Sequence, residues 1–216
     1  MMKLLSVNVS RPKEVNYNGQ RVSTGIFKEA VAGRVRLRQH NLEGDGQGDL
    51  AVHGGPAKAV YAYPAEHYAY WREQLPGREL PWGMFGENFT TEGLREEEVR
   101  IGDRFCIGTA EVLVTTPRIP CFKLGIKFGE MEMVKRFLAS RRTGFYLAVG
   151  QEGEVGAGDA IELLGRDPSS LTVADILRLY VSEEKDREAL ERAIELPALP
   201  EGWRNHFRKR LTTRGQ

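Results

Sequence analysis

Glycine punctuates this chain too densely for long helices, and that single feature constrains the fold most. Of 24 glycines, all but Gly202 and Gly215 lie at or before Gly165. Between them run short segments in which apolar and polar residues alternate, the period of a half-buried strand. Leu5, Val7 and Val9 alternate with Ser6, Asn8 and Ser10, and Val35 and Leu37 with Arg34, Arg36 and Arg38. Val99 and Ile101 lead to Phe105 and Ile107. Val112 and Val114 follow, then Phe145, Leu147 and Val149, then Ile161 and Leu163. Many short strands joined by glycine turns predict a barrel or folded-over sheet. An internal echo fits two similar hairpins: Gly102-Asp103-Arg104-Phe105-Cys106-Ile107 resembles Gly158-Asp159-Ala160-Ile161-Glu162-Leu163.

Two helices are expected among the strands. Pro64 suits a first helical position before residues 65–75, with Tyr68, Trp71 and Leu75 on one face. Residues 130–141 place Met131, Val134 and Leu138 on a stripe. After Gly165 the pattern changes. Arg166-Asp167-Pro168-Ser169-Ser170 reads as a linker, and Thr172 with Asp175 as a helix cap. Ser182-Glu183-Glu184 is expected to cap a second helix to about Glu195, and Pro200-Glu201-Gly202 precedes a third from Trp203 to Leu211. The predicted class is α+β: a β-rich barrel over 1–165 and a three-helix appendage over 170–212. Arg204, Arg208, Lys209 and Arg210 on the last helix read as a solvated face rather than a docking patch.

Charge narrows the function. The 31 basic and 30 acidic residues leave a net +1, unlike proteins devoted to nucleic-acid backbone, so no nucleic-acid polymer is expected as partner. Charges interrupt every apolar stretch well short of the ~20 residues that span a membrane. The start of the chain lacks a secretory signal pattern, and two cysteines cannot build a disulfide framework, so a cytoplasmic location is expected. Two cysteines also cannot hold an iron–sulfur cluster.

Four segments could carry chemistry. Gly44 to Pro56 holds five glycines around Asp45, Gln47, Asp49 and His53. Gly46-x-Gly48-x-x-Ala51 imitates half a dinucleotide fingerprint, but His53-Gly54-Gly55-Pro56 forbids the helix that motif needs. The loop is either an anion cradle of backbone N–H groups or a turn capped by aspartates, with metal ligation by Asp45, Asp49 and His53 a further reading. Phe85-Gly86-Glu87-Asn88-Phe89 offers Glu87 and Asn88 in a tight turn. In Pro117-Arg118-Ile119-Pro120-Cys121-Phe122-Lys123 two prolines stiffen the chain, and Cys121 sits between two cations, a setting that favours a thiolate nucleophile or metal ligand. Cys106, mid-strand between Phe105 and Ile107, reads as structural. Arg142 could meet a phosphate or the carbonyl end of the preceding helix.

Together these segments resemble the MOSC family, named for the C-terminal domain of molybdenum cofactor sulfurase, and within it the bacterial YiiM-type branch. The matching pieces are Leu42-Glu43-Gly44-Asp45-x-Gln47, Val52-His53-Gly54-Gly55-Pro56-x-Lys58-Ala59 and Tyr63-Pro64-x-Glu66-His67-Tyr68-x-Tyr70-Trp71. Phe85-Gly86-Glu87-Asn88-Phe89, Gly93-Leu94, Gly102-Asp103 and Pro117-Arg118-x-Pro120-Cys121-x-Lys123-Leu124 continue the match in order. The resemblance implies a MOSC barrel binding the molybdenum cofactor (molybdopterin), with Cys121 as molybdenum ligand and catalytic residue. It implies a cofactor pocket drawn from Asp45, Gln47, His53, Gly54, Gly55, Lys58, Glu87, Asn88, Arg118, Lys123 and Arg142. Relatives reduce N-hydroxylated compounds, so the implied function is N–O cleavage of hydroxylamines, amidoximes or N-hydroxylated base analogues, a detoxification. Lacking cluster cysteines and a flavin motif, such a reductase needs an external electron-donor protein carrying flavin or iron–sulfur, and a homodimer stays open. A non-catalytic cofactor carrier or sulfur relay, and a metal-dependent hydrolase using Asp45, Asp49 and His53, are the competing readings.

Overall fold

The computed structural model describes residues 1–46, 55–182, 184 and 186–212. Its strands are β1 (Lys3–Val9), β2 (Lys13–Tyr17), β3 (Gln20–Thr24), β4 (Glu29–Ala30), β5 (Arg34–Leu37), β6 (Val60–Pro64), β7 (Phe89–Glu92), β8 (Arg104–Ile107), β9 (Ala110–Pro117), β10 (Phe145–Gln151), β11 (Gly153–Gly156) and β12 (Ile161–Gly165). The α-helices are α1 (Glu66–Gln74), α2 (Phe122–Phe128), α3 (Glu132–Ala139), α4 (Val173–Val181), α5 (Arg187–Glu195) and α6 (Glu201–Thr212).

Eight strands form one sheet in the order β12-β8-β9-β10-β6-β7-β1-β4. β6 and β7 run parallel, joined by a crossover through α1, while the other pairs in this sheet are antiparallel. The sheet closes on itself. Leu4 N–H donates to Asp159 O (2.9 Å), Gly158 N–H to Leu4 O (2.7 Å) and Ile161 N–H to Met2 O (3.0 Å), so β1 meets the start of β12. Closure removes exposed edges, which a short-stranded sheet must otherwise protect.

The two Gly-Asp segments are the same turn twice. Gly102 and Gly158 take positive φ (88° and 97°), which glycine adopts without strain. Asp103 accepts from the N–H of Arg100, and Asp159 from that of Gly156, both at 2.9 Å. The strands they launch pair with each other, Ile107 opposite Ile161 and Phe105 opposite Leu163.

Two apolar clusters sit on this frame. The first holds Val60, Ala62, Phe89, Val112, Phe145 and Leu147 and runs on into Ile176, Leu190 and Phe207 of the C-terminal helices. Burying each such side chain contributes roughly 1.5–3 kcal/mol. The segment 166–172 is tied to the barrel: Ser170 Oγ donates to Ile101 O (2.6 Å) and Ile101 N–H to Leu171 O (2.9 Å). The second cluster is aromatic, with Tyr63, Tyr68, Trp71, Phe85, Phe128 and Phe137 packed beneath α1, α2 and α3.

Several local expectations need correction. In β1 the core residues are Leu4 and Val7, not an unbroken Leu5-Val7-Val9 face, because the pairing with β7 shifts register between Leu4 and Ser6. A bulge flips every later side chain to the other face. Pro64 ends β6, and α1 begins at Glu66. On α3 the buried pair is Met133 and Phe137, with Met131 exposed. Val99 and Ile101 are buried in a turn ahead of β8 rather than in a strand. The Thr172–Asp175 capping box forms as read, but α5 is capped by Asp186.

Candidate functional site

β9 ends at Pro117, and the chain from Arg118 to Cys121 stays irregular until α2 begins at Phe122. Cys121 takes an extended conformation (φ −127°) with Pro120 behind it, and its side chain is partly exposed. Arg118 is buried beneath. Its backbone N–H donates to Gly144 O (3.0 Å), and its Nη1 to Tyr61 Oη (3.2 Å) and Phe85 O (3.0 Å). The guanidinium carbon also lies 4.6 Å from the Tyr61 ring centre and 5.4 Å from that of Phe137. A guanidinium is charged at any working pH, so a permanent cation is locked below the thiol.

A cleft opens in front of this element. Among the described residues, Lys28, Lys58, Arg118 and Lys123 line it with one carboxylate, Asp45, beside Cys121. Tyr61 and Tyr146 form an aromatic wall, their ring centres 5.5 Å apart, as direct partners across β6 and β10. Lys58 Nζ lies 5.9 Å from the Tyr146 ring centre. Gly25 and Gly46 make the rim. A Cβ on Gly25 would fall 2.2 Å from Gly46 O, so these backbones meet only because one is glycine.

Burial sets the electrostatics. It pushes the ammonium pKa of Lys58 down, and that of Lys28 down despite the opposing pull of Asp45. Lys127, behind the cleft, is pushed down to about 8 by burial while donating to Ile26 O (2.9 Å) and Gly83 O (2.5 Å). Burial raises the Tyr146 phenol. Cations held in a poorly solvating wall favour an anionic partner that would restore their lost solvation.

The residues expected at a cofactor pocket divide into three groups. Asp45, Lys58, Asn88, Arg118, Cys121 and Lys123 line this one cleft. Glu87 and Arg142 do not line it. Glu87 is fully buried, accepts from Gly83 N–H (2.8 Å), Phe85 N–H (3.0 Å), Thr90 Oγ1 (3.1 Å) and the Tyr68 hydroxyl, and has its pKa raised by burial. It organises the 83–88 turn. Arg142 donates to Ser140 O (3.1 Å) just past α3 and stacks 4.2 Å from the Tyr70 ring centre, which is the helix-end alternative rather than the phosphate one. Gly55 sits at the start of the 3-10 turn Pro56–Lys58 with φ 98° and positions Lys58. Gln47, Asp49, His53 and Gly54 lie outside the described residues.

Asp45 is occupied. It accepts from Ser10 N–H (2.8 Å), Asn88 Nδ2 (2.9 Å) and the Lys28 ammonium. No group of three metal-ligating side chains occurs among the described residues. Cys106 is partly exposed in β8, opposite Glu111 and Glu162, and neither cysteine is in a disulfide. On α6, Arg204 and Arg208 pair with Glu201 (2.7 and 2.5 Å), and Arg210 caps carbonyls at the end of α4, including Ser182 O at 2.7 Å. No helix among the described residues is long and apolar enough to cross a membrane.

Lys28, Tyr61 and Tyr146 were not singled out from sequence. The two tyrosines face each other through strand register. Lys28 arrives on the loop after the β2–β3 hairpin, whose Asn18-Gly19 turn, both at positive φ, is a readable hairpin signal.

Comparison with known proteins gives the same architecture. The MOSC domain model matches residues 49–162, and the YiiM-like 3-alpha helix domain model matches 171–214. The uncharacterized protein YflK of Bacillus subtilis is 45% identical over 207 residues, 96% of this chain and 93% of the relative. The crystal structure of YiiM from Geobacillus stearothermophilus superposes with a TM-score of 0.83 at 36% identity, covering 98% of this chain and all of that one. A protein of Gibberella moniliformis named reductase is 31% identical over 197 residues, 90% of this chain but 35% of its own length.

Proposed function

The chain belongs to the MOSC-domain family, in the branch with the YiiM-like three-helix domain, and on that premise we propose that it is an oxidoreductase that cleaves the N–O bond of N-hydroxylated compounds with a bound molybdenum cofactor. The observation that carries this reading is the cleft at Cys121, whose described lining holds four cations and one carboxylate, itself already hydrogen-bonded. A pterin phosphate and a dithiolene are both anionic, and such a lining suits them. A soft thiolate suits a metal already held by sulfur. Cys121 would ligate the metal. Lys58, Arg118 and Lys123 would face the anionic groups, and Asn88, which accepts from Tyr61 N–H (3.1 Å), would hold the cleft in shape. When bound, the cofactor supplies the two-electron chemistry.

The balance is R–NHOH plus two electrons and two protons giving R–NH2 and water. Lys58 and Tyr146 sit beside Cys121 and are the groups placed to hold protons for the departing oxygen. The chain lacks a cluster or flavin motif, so the electrons come from a separate flavin or iron–sulfur donor. The fungal relative, in which the matching segment is about a third of a protein named reductase, accords with a module fed from elsewhere.

The test is turnover of an amidoxime or hydroxylamine with an artificial reductant, using protein made in a cofactor-competent host. Wild type and Cys106→Ser are expected to turn over within twofold of each other, and Cys121→Ser at least 100-fold more slowly. Molybdenum-loaded wild type without turnover would contradict the reductase and favour a carrier. Turnover that survives Cys121→Ser would contradict the thiolate's role.

A further inference from the structure

A second cavity, of about 540 Å³, lies where the C-terminal helices meet the barrel, and it reaches the same thiol. On the barrel side it is lined by Cys121, Tyr146 and Thr116, and on the helical side by Tyr180 of α4 with Trp203 and His206 of α6. Cys121 and Tyr146, with Lys58 and Ile119, line both the cationic cleft and this second, aromatic chamber.

The helical wall is built for a flat ring. Tyr180 lies 5.0 Å from both Trp203 and His206, ring centre to ring centre, at interplanar angles of 49° and 35°. Trp203 and His206 back onto the buried Phe207, while Tyr180 stays partly exposed at the cavity. Polar side chains flank the rings: Thr116 on the barrel and His206 on α6 also line the cavity. Burial and the neighbouring Arg210 and Lys209 push the His206 imidazole down, so it is neutral at pH 7 and offers one donor and one acceptor. The volume is that of a small-molecule site.

We infer that the three-helix segment forms the substrate-selecting half of the active site, with Trp203 and Tyr180 stacking on the planar aromatic or heteroaromatic ring of the N-hydroxylated substrate while its N–OH group points at Cys121. This rests on the reductase reading above and adds which part of the chain chooses the substrate. Aromatic amidoximes and hydroxylamines are then preferred over aliphatic ones of the same reacting group.

Benzamidoxime and acetamidoxime carry the same N–OH group and differ in the ring. Trp203→Ala and Tyr180→Ala should each lower kcat/KM for benzamidoxime about tenfold and leave acetamidoxime within twofold, with Trp203→Phe retaining most of the preference and molybdenum content unchanged. Parallel losses on both oximes, or no loss on either, would overturn the inference. A binding measurement separates it from the reductase reading. Tryptophan emission of the purified protein should be quenched saturably by benzamidoxime and not by acetamidoxime. Trp203→Phe should remove the saturable part against the background of Trp71 and Trp82, and Tyr180→Ala should weaken it about fivefold. If wild type reduces neither oxime, the reductase reading fails while saturable, Tyr180-dependent quenching still upholds the chamber. Non-saturable quenching overturns it.

Discussion

The two Gly-Asp turns and the Cys121 cleft handle buried charge in opposite ways. At the turns each aspartate is matched within the chain. Asp103 is fully buried and accepts from Arg100 N–H and from Arg166 Nε (2.9 Å) and Nη2 (2.5 Å). Asp159 accepts from Gly156 N–H and from Arg34. Among the described residues of the cleft, cations outnumber carboxylates, and burial lowers the pKa of Lys28 and Lys58. Matched charge closes a fold. A partly buried, cation-rich lining beside a thiol suits an anionic ligand.

Breaking each region should give different phenotypes. Asp103→Ala strips a buried acceptor from three donors and should cost about 3 kcal/mol of stability. Urea unfolding checks this, and cofactor bound per folded molecule should stay within twofold. A loss of cofactor proportionately larger than the loss of fold would erase the distinction between the regions. Lys123→Met should do the reverse. It should weaken cofactor retention at least tenfold, as expected for one charge-assisted contact, and leave the apo-protein's melting temperature unchanged or higher. A clear fall in that temperature would make Lys123 structural.

The smallest expected effect is on pH dependence. Burial holds Lys127 at about 8, below the ordinary lysine value. Between that pH and about 10.4 the unfolded chain binds more protons at this position than the folded one, so the contribution to stability rises with pH through that window. Below it, charging the buried amine is a constant penalty. Lys127→Met should remove this rise. Relative to wild type, the variant should therefore lose ground from pH 8 to 9.5, by at most about 1.4 kcal/mol per pH unit in urea midpoints converted to free energy. Parallel curves would place Lys127 in water.

Much of the frame was legible in the sequence because its signals are local. The glycine-separated alternation, the repeated Gly-Asp turn and the Thr172–Asp175 cap each depend on residues within a few positions of one another. The same holds for the stiff Pro117-Arg118-Ile119-Pro120-Cys121 element, whose prolines act on their own neighbours. What escaped depends on pairing between distant strands. The β1 bulge against β7 broke the expected alternation, leaving Leu5 half-buried while Leu4 and Val7 fill the core. Tyr61 meets Tyr146 only through the β6–β10 register. Glu87 was legible as an acid in a glycine turn, but four donors folded around it, which no local pattern announces. The short α2 hides between a proline-rich turn and Gly129, with no capping side chain to mark it.

The most direct test of the account is the molybdenum-to-protein ratio, read by elemental analysis of protein purified from a cofactor-competent host. Wild type and Cys106→Ser should carry near-stoichiometric molybdenum, and Cys121→Ser a ratio at least tenfold lower. Wild type devoid of molybdenum, or a Cys121→Ser variant that keeps it in full, would contradict the assignment of this cleft to an anionic pterin held against that thiol.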